Sequence, residues 1–267
     1  MRSASSRRRN TPVELGVLKA VLKATREGLA SVSQVVEESG APRQVVARQL
    51  QRLREEHLVD LPGGLVRVDG ERRLRLLRRA VSKGGDLEET SKLLEWGEFE
   101  RLVAGIAEEC SFSTALNLRF KQGKKRWQVD LVAMKEPLVL CIDCKHLRSR
   151  QAAVLRRAAG LNAQRAKGLA EELPRLGRRL SAETWRRATV MPVMVTLRPA
   201  PWRTYEAMPI VPINQLNNFL GRVQGEAALF AGYSVNPMGS NLSIAKYLGQ
   251  RAGSSAPGRS EGCRGLR

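Results

Sequence analysis

The chain has 267 residues; 46 are Lys or Arg and 26 are Asp or Glu, for a formal charge of +20. Hydrophobic residues at 42% suffice for real cores, and no apolar run is long enough to cross a bilayer, so no membrane partner is expected. The basic excess favours phosphate-rich partners, because each neutralised phosphate releases condensed counterions. A ribosomal protein or a binder of anionic lipid are the other classes such a charge suits. Four cysteines without a framework spacing fit a reducing, intracellular setting, so a cytoplasmic, nucleoid-associated protein is expected. Aromatic residues at 4% argue against a single-strand binder built on stacking platforms.

Residues 1–10 read as a basic disordered tail that lacks the apolar stretch of a signal peptide. Residues 11–69 read as three helices and a hairpin. Thr11-Pro12 is a cap followed by proline at the first helical position, and Leu15, Leu18 and Leu22 make an apolar stripe. Ser31 caps a second helix, with Val32, Val35 and Val36 inward and Gly40 at its end. The third helix, 42–56, buries Val46, Leu50 and Leu53 and presents Arg43, Gln44, Arg48, Gln51 and Arg52 on its other side. Residues 58–61 and 65–68, with Arg67, form two short strands around Pro62-Gly63-Gly64. Three helices plus such a wing make a winged helix-turn-helix, and the exposed Arg and Gln side chains suit a major-groove reader; a winged helix used for protein contacts is the alternative.

Residues 70–86 read as a basic linker helix broken by Ser82-Lys83-Gly84-Gly85, where a domain boundary is expected. Its arginines fit either a DNA backbone or a solvated face. A second domain, 87–250, opens with one helix, 87–110, whose apolar side is Trp96, Phe99, Leu102, Val103 and Ile106. Alternating runs at 115–121 and 126–133 flank a Gly-containing turn and predict an antiparallel hairpin. The run 138–142 is apolar on both faces and reads as a central strand. A helix over 151–172 ends before Pro174, a buried strand covers 188–197, a short strand covers 210–213, and Asn214 caps a helix through Leu220. Residues 251–267, rich in Gly, Ser and Arg, read as a disordered basic tail.

Asp130 lies in the second strand of this domain, and Asp143-Cys144-Lys145 ends the third. Residues two apart on a strand share a face, so Asp143 and Lys145 project together, and Asp130, sharing a face with Gln128, can pair beside them. Charges gathered on an apolar sheet have a poor structural rationale. Two carboxylates can hold Mg²⁺ or Mn²⁺, and Lys145 can orient the attacking water and stabilise a pentavalent phosphate. Glu100, on the preceding helix, adds a ligand directly or through water.

The order helix, three strands, helix, strand, with Phe99-Glu100, Asp130 and Asp143-x-Lys145, resembles the PD-(D/E)XK nuclease superfamily, above all Holliday-junction resolvases of archaea and Mrr-type restriction endonucleases. The resemblance covers residues 93–220. It implies an α/β fold, a restriction-endonuclease-like mixed sheet flanked by helices (αβββαβ core), behind the winged-helix domain. It also implies a catalytic set of Glu100, Asp130, Asp143 and Lys145, with the three acids as metal ligands. Val129 stands where the family has proline, and Asp143 where resolvases have Glu. Relatives present a Gln or Lys from the next helix to the substrate, which points to Gln164, with Lys167 one turn on. The basic loop Lys121, Lys124, Lys125 and Arg126 suits a backbone clamp. The expected activity is metal-dependent cleavage of duplex or branched DNA by a homodimer, the latter by family analogy. A non-catalytic DNA-binding regulator on the same fold and an RNA nuclease are the alternatives.

Cys141 and Cys144 are three apart on a strand and face opposite ways, so they share no metal. His57 and His146 are too few for a histidine-metal nuclease.

Overall fold

The computed structural model describes residues 4–146, 152–238 and 245–247. The tail expected over 251–267 lies outside these residues. The first helix, α1 (Ala4–Ala24), begins ahead of Thr11 and carries Pro12 inside it; residues 4–10 are therefore helical, consistent with arginine's small loss of rotamer freedom in a helix. A turn at Gly28, φ +86°, leads into β1 (Leu29–Ser31). Ser31 then caps α2 (Val32–Ser39), exchanging bonds with Gln34 in a capping box, and Gly40 closes it in the left-handed region. Next is α3 (Arg43–Glu55), which buries Val46, Gln49, Leu50 and Leu53.

The expected hairpin over 58–68 is rebuilt. Strand β2 (Leu65–Arg67) pairs antiparallel with β1, and residues 58–61 contribute only the Asp60–Arg67 bridge. The Val68 amide also donates to Gly28 O at 2.9 Å, so the turn that ends α1 supplies the partner strand.

Helix α4 (Gly70–Ser82), capped by Asp69, matches its expected bounds. Four of its five arginines serve the fold: Arg72 pairs with Asp60 and Asp69, Arg73 with Glu98, Arg78 with Glu109, and Arg79 with Glu14 and Glu56, while Arg75 is exposed. The glycine pair that follows is a tight corner. Gly84 has φ +89°, and a Cβ on Gly85 would lie 2.7 Å from Ala80 O and 3.0 Å from Leu15 Cδ1. One continuous group of buried residues runs from Val17 and Leu22 through Leu76 and Leu77 to Phe99, Leu131 and Ile142. No break in packing marks the boundary expected there.

The single helix expected over 87–110 is two, α5 (Leu87–Ser91) and α6 (Trp96–Glu109). Asp86 caps the first through Glu89 N at 2.8 Å, and Glu98 Oε2 accepts the Glu95 amide at 2.8 Å to start the second. Three strands follow: β3 (Ser113–Gln122), β4 (Lys125–Lys135) and β5 (Leu138–Lys145). Helix α7 (Ala152–Leu176) runs past Glu172 with Pro174 in its last turn, where the missing amide forfeits one bond. Then come β6 (Ala188–Thr196), β7 (Thr204–Tyr205), β8 (Met208–Pro212), a 3₁₀ turn at Ile213–Gln215, α8 (Leu216–Glu226), β9 (Gly232–Val235) and β10 (Ala245–Tyr247). Asn214 thus lies in the turn, and α8 starts at Leu216. Strands β7, β9 and β10 have no counterpart in the sequence reading.

The result is a mixed sheet flanked by helices, in the order β10-β9-β6-β5-β4-β3. Strands β3, β4 and β5 run antiparallel in turn, β5 and β6 are parallel, and β8 pairs parallel with the far end of β6. Pro192, which has no amide to donate, sits on β6 between the stretches that pair with β9 and β8. Asn162 of α7 supplies donors there, to Cys141 O at 3.1 Å and Val193 O at 2.9 Å. One sheet face meets α6, α8 and the amino-terminal helices, and the other meets α7. Among the described residues, no helix is long and apolar enough to cross a membrane.

Candidate active site

Strand β5 is apolar through Ile142 and then turns charged at its carboxyl end, between the two helical layers. Ile142 and Cys144 face the α6 layer, so Asp143 faces α7. Asp143 is buried to 2% exposure. Arg165 Nη1 of α7 donates to its Oδ1 at 2.8 Å, and Lys145 Nζ lies 2.5 Å from Oδ2. Both carboxylate oxygens of Asp143 are thus matched by a cation, Oδ1 by Arg165 and Oδ2 by Lys145. Burial pushes the Asp143 carboxyl above its ordinary value, against the pull of Lys145, while the neighbouring charge of Asp130 adds to the rise.

Asp130 stands across from Asp143 in register, one step beyond the last β4–β5 pair, Leu131–Ile142. The ladder stops there. Asp130 Oδ2 instead accepts the Cys144 amide at 3.0 Å, which fixes the carboxylate beside the end of β5. Side-chain alternation also slips at this point. Trp127 and Val129 face α7, Leu131 and Ala133 face the other layer, and Val132 and Met134 face α7 again. The expected face shared by Asp130 and Gln128 therefore does not continue as a regular strand. Opposite Asp130 on β3, Asn117 has φ +52°, a left-handed backbone that asparagine tolerates better than most residues. The paired irregularity turns Asp130 toward the sheet end.

Glu100 comes from α6. It is buried, and Trp96 Nε1, one turn earlier, donates to its Oε1. Burial raises its carboxyl and Asp130 adds to the rise, whereas Trp96, Asn117 and Lys145 pull it down. The four expected charged residues thus act on one another electrostatically. Trp96 itself is 44% exposed, contrary to its expected place on the apolar side, and Lys145 Nζ lies 5.5 Å from its ring centre. Among the described residues, no three His, Cys, Asp or Glu side chains converge as a ready-made metal cage. What the site does offer is oxygen, from the carboxylates of Asp143, Asp130 and Glu100. That donor set fits a hard cation that keeps several of its waters.

Gln164 does not reach the site. Its Oε1 accepts from Lys125 Nζ at 3.3 Å, bracing the β3–β4 hairpin, and its neighbour Arg165 takes the position on Asp143. His146 Nε2 lies 2.9 Å from Ser91 O, and its ring meets Phe99 at 5.1 Å, which anchors the end of β5. Cys141 and Cys144 lie on opposite faces, both fully buried, and burial raises both thiols. In the amino-terminal half, Arg43, Gln44, Arg48, Gln51, Arg52 and Arg67 are all exposed. None of these arginines pairs with a carboxylate among the described residues, unlike Arg72, Arg73, Arg78 and Arg79 of α4. Lys124 is exposed at the hairpin tip, while Lys125 lies 3.7 Å over the Trp127 ring.

No family model matches the chain. The crystal structure of protein VC1899 from Vibrio cholerae aligns with a TM-score of 0.36 and 14% identity over 84% of this chain, which spans about half, 53%, of that one. Over 127 residues the chain is 35% identical to an uncharacterized protein of Archaeoglobus fulgidus, a match that takes in 48% of this chain and 90% of that protein. With that identity across nine-tenths of the archaeal protein, the chain belongs to the same family as the Archaeoglobus fulgidus protein.

Proposed function

We propose that the protein is a metal-dependent DNA endonuclease of the PD-(D/E)XK type, with a winged-helix module that holds duplex or branched DNA. The observation that carries this reading is the cluster itself: Asp143, buried, gathered with Asp130, Glu100 and Lys145 at one strand end. Lys145 and Arg165 offset the charge of Asp143, while Asp130 and Glu100 add further carboxylates beside it that a hard cation would neutralise. Asp143 and Asp130 would hold Mg²⁺ or Mn²⁺, with Glu100 reaching it directly or through water. The metal supplies a water of lowered pKa and neutralises charge that develops on the phosphate.

The chain's own residues do the rest. The Cys144 amide holds Asp130 in place, and Trp96 does the same for Glu100. Lys145 orients the attacking water and donates to the phosphoryl oxygens as their charge grows. Arg165, displaced from Asp143, is placed to meet the scissile phosphate. Arg43, Gln44, Arg48 and Arg52 would present unpaired donors to a groove, with Gln51, whose Nε2 also donates to Glu55 Oε1 at 3.4 Å, on the same helix and Arg67 on β2. A homodimer would allow both strands to be cut.

The second reading is a non-catalytic DNA-binding scaffold on the same fold. It is favoured by the cations that already contact both Asp143 oxygens and by the lack of a converged ligand cage among the described residues. Calorimetric titration of Mn²⁺ into the protein, beside Asp143→Asn, tests the choice. Binding lost in the variant supports the nuclease; equal binding, or none to either, supports the scaffold.

A further inference from the structure

The β3–β4 hairpin carries a row of charge that the fold does not use. Its inner face, Leu118, Phe120, Trp127 and Val129, is buried against α7. That face is clamped: Trp127 Nε1 donates to Gln122 Oε1 at 2.9 Å, Gln122 bonds Glu171, and Lys125 reaches Gln164. Gly168 of α7 lets the two elements approach, since a Cβ there would lie 2.8 Å from Gln122 Oε1 and 2.9 Å from Trp127 Nε1.

The outer face is open. Asn117, Arg119, Lys121, Arg126 and Gln128 are all exposed, and a hollow of about 610 Å³ lies against the hairpin here. Lys121 and Arg126 are direct cross-strand partners. Like charges opposite each other destabilise a sheet, and no carboxylate pairs with Arg119, Lys121 or Arg126 among the described residues. The next pair inward is Arg119 with Gln128, which hydrogen-bond at 3.3 Å. Gln128 Nε2 then donates to Asn117 Oδ1 at 3.1 Å. Asn117 and Asp130 complete the row beside Glu100. A ladder of donors and cations thus runs from the hairpin tip to the carboxylates, roughly 13 Å along the strand at about 3.3 Å per residue.

We propose that this outer hairpin face is the track for the phosphate backbone of the DNA strand being cut. The idea rests on the nuclease reading above and names the surface that feeds its site. Two strands roughly 4.8 Å apart make a ladder wide enough for one phosphate row and too narrow for both strands of a duplex. The rigid clamp on α7 holds the track ready, so little ordering opposes binding. An anion on the ladder also relieves the Lys121–Arg126 repulsion.

The test uses the full chain and a labelled 24-base-pair duplex in EDTA, with affinity measured from about 50 to 200 mM salt. The variant Arg119→Gln/Lys121→Gln/Arg126→Gln is compared with wild type and with Arg203→Gln/Arg222→Gln, which removes charge elsewhere. The track predicts a log–log salt slope shallower by about 2 to 3 in the triple variant and unchanged in the control. It also predicts a melting temperature no lower than wild type, because a repulsion has been removed. Lys121→Gln alone, shallower by about 1, guards against misfolding of the triple variant. An unchanged slope in the triple variant, or an equal change in the control, overturns the track. Cleavage with Mg²⁺ that is lost in Asp143→Asn would then still stand, so the two ideas fail separately. No salt-dependent binding by the wild-type chain overturns the track outright.

Discussion

Arg73 of α4 and Glu98 of α6 meet at 2.7 Å inside the protein, with the two side chains 2% and 8% exposed. The guanidinium also donates to Leu22 O at 2.6 Å, Thr25 Oγ1 at 3.1 Å and Leu93 O at 2.7 Å. One side chain therefore ties α1, α4 and the start of α6 together. Breaking a buried pair by removing one partner leaves an uncompensated charge, at about 3–5 kcal/mol. Arg73→Ala is expected to lose stability on that scale in urea denaturation, and loss under about 1 kcal/mol would show that the tie is unimportant.

The corner at Gly85 gives a second stability test. A methyl group there meets the Ala80 carbonyl at 2.7 Å, and backbone cannot swing away as a side-chain tip can. Gly85→Ala should destabilise by about 1–3 kcal/mol. If the glycine pair were a flexible linker, the same change would be neutral or slightly stabilising by restricting the unfolded chain.

Glu100 and Asp143 both have carboxyls raised, chiefly by burial. Folded protein then binds protons more tightly than the unfolded chain, so stability falls as pH climbs from the unfolded value, about 4, through the raised folded value. In metal-free buffer, Glu100→Gln removes its share of that fall, and its stability relative to wild type should improve as pH rises above the unfolded value, about 4. A divalent ion needs these groups deprotonated, so metal affinity should rise with pH over the same window. A stability difference that stays constant with pH would contradict the assignment.

The neighbours Gln164 and Arg165 make a paired test. Arg165→Ala takes a cation from Asp143; on the proposed reading that cation also meets the scissile phosphate, and its loss should lower kcat by about 100-fold, the scale of a lost transition-state donor. Gln164→Ala touches only the hairpin brace and should leave kcat within about threefold, since exposed contacts of this kind are worth little. Steady-state cleavage rates for the two variants decide it, and equal losses would show that the helix phase does not matter.

Periodicity found the elements whose burial is one-sided. The stripe of α1 from Leu15 to Leu22, the α2 caps and the apolar run of β5 were all readable. It missed features set by contacts distant in sequence. The phase of α7 is not readable from sequence, so Gln164 is named where Arg165 holds Asp143. Asn117 looked like an ordinary outward residue, because nothing in the alternation of β3 announces a left-handed backbone. Trp96 has the spacing of a core residue, and only the bond to Glu100 explains its exposure. Strand β1 is three residues long and depends on β2 for its existence. The arginines of α4 and α3 look alike in sequence; the acids that pair with the former come from α1, the residue that ends α3, the segments flanking β2 and α6.

The most direct measurement is cleavage of labelled duplex, fork and four-way-junction DNA by the purified chain with Mg²⁺, Mn²⁺ or EDTA, beside Asp143→Asn and Lys145→Ala. Metal-dependent cutting is expected from wild type, with none from Asp143→Asn and a loss of about 10²–10⁴-fold in Lys145→Ala. Undiminished cutting by Asp143→Asn, or binding to all three DNAs without any cutting in either metal, would contradict a nuclease centred on Asp143.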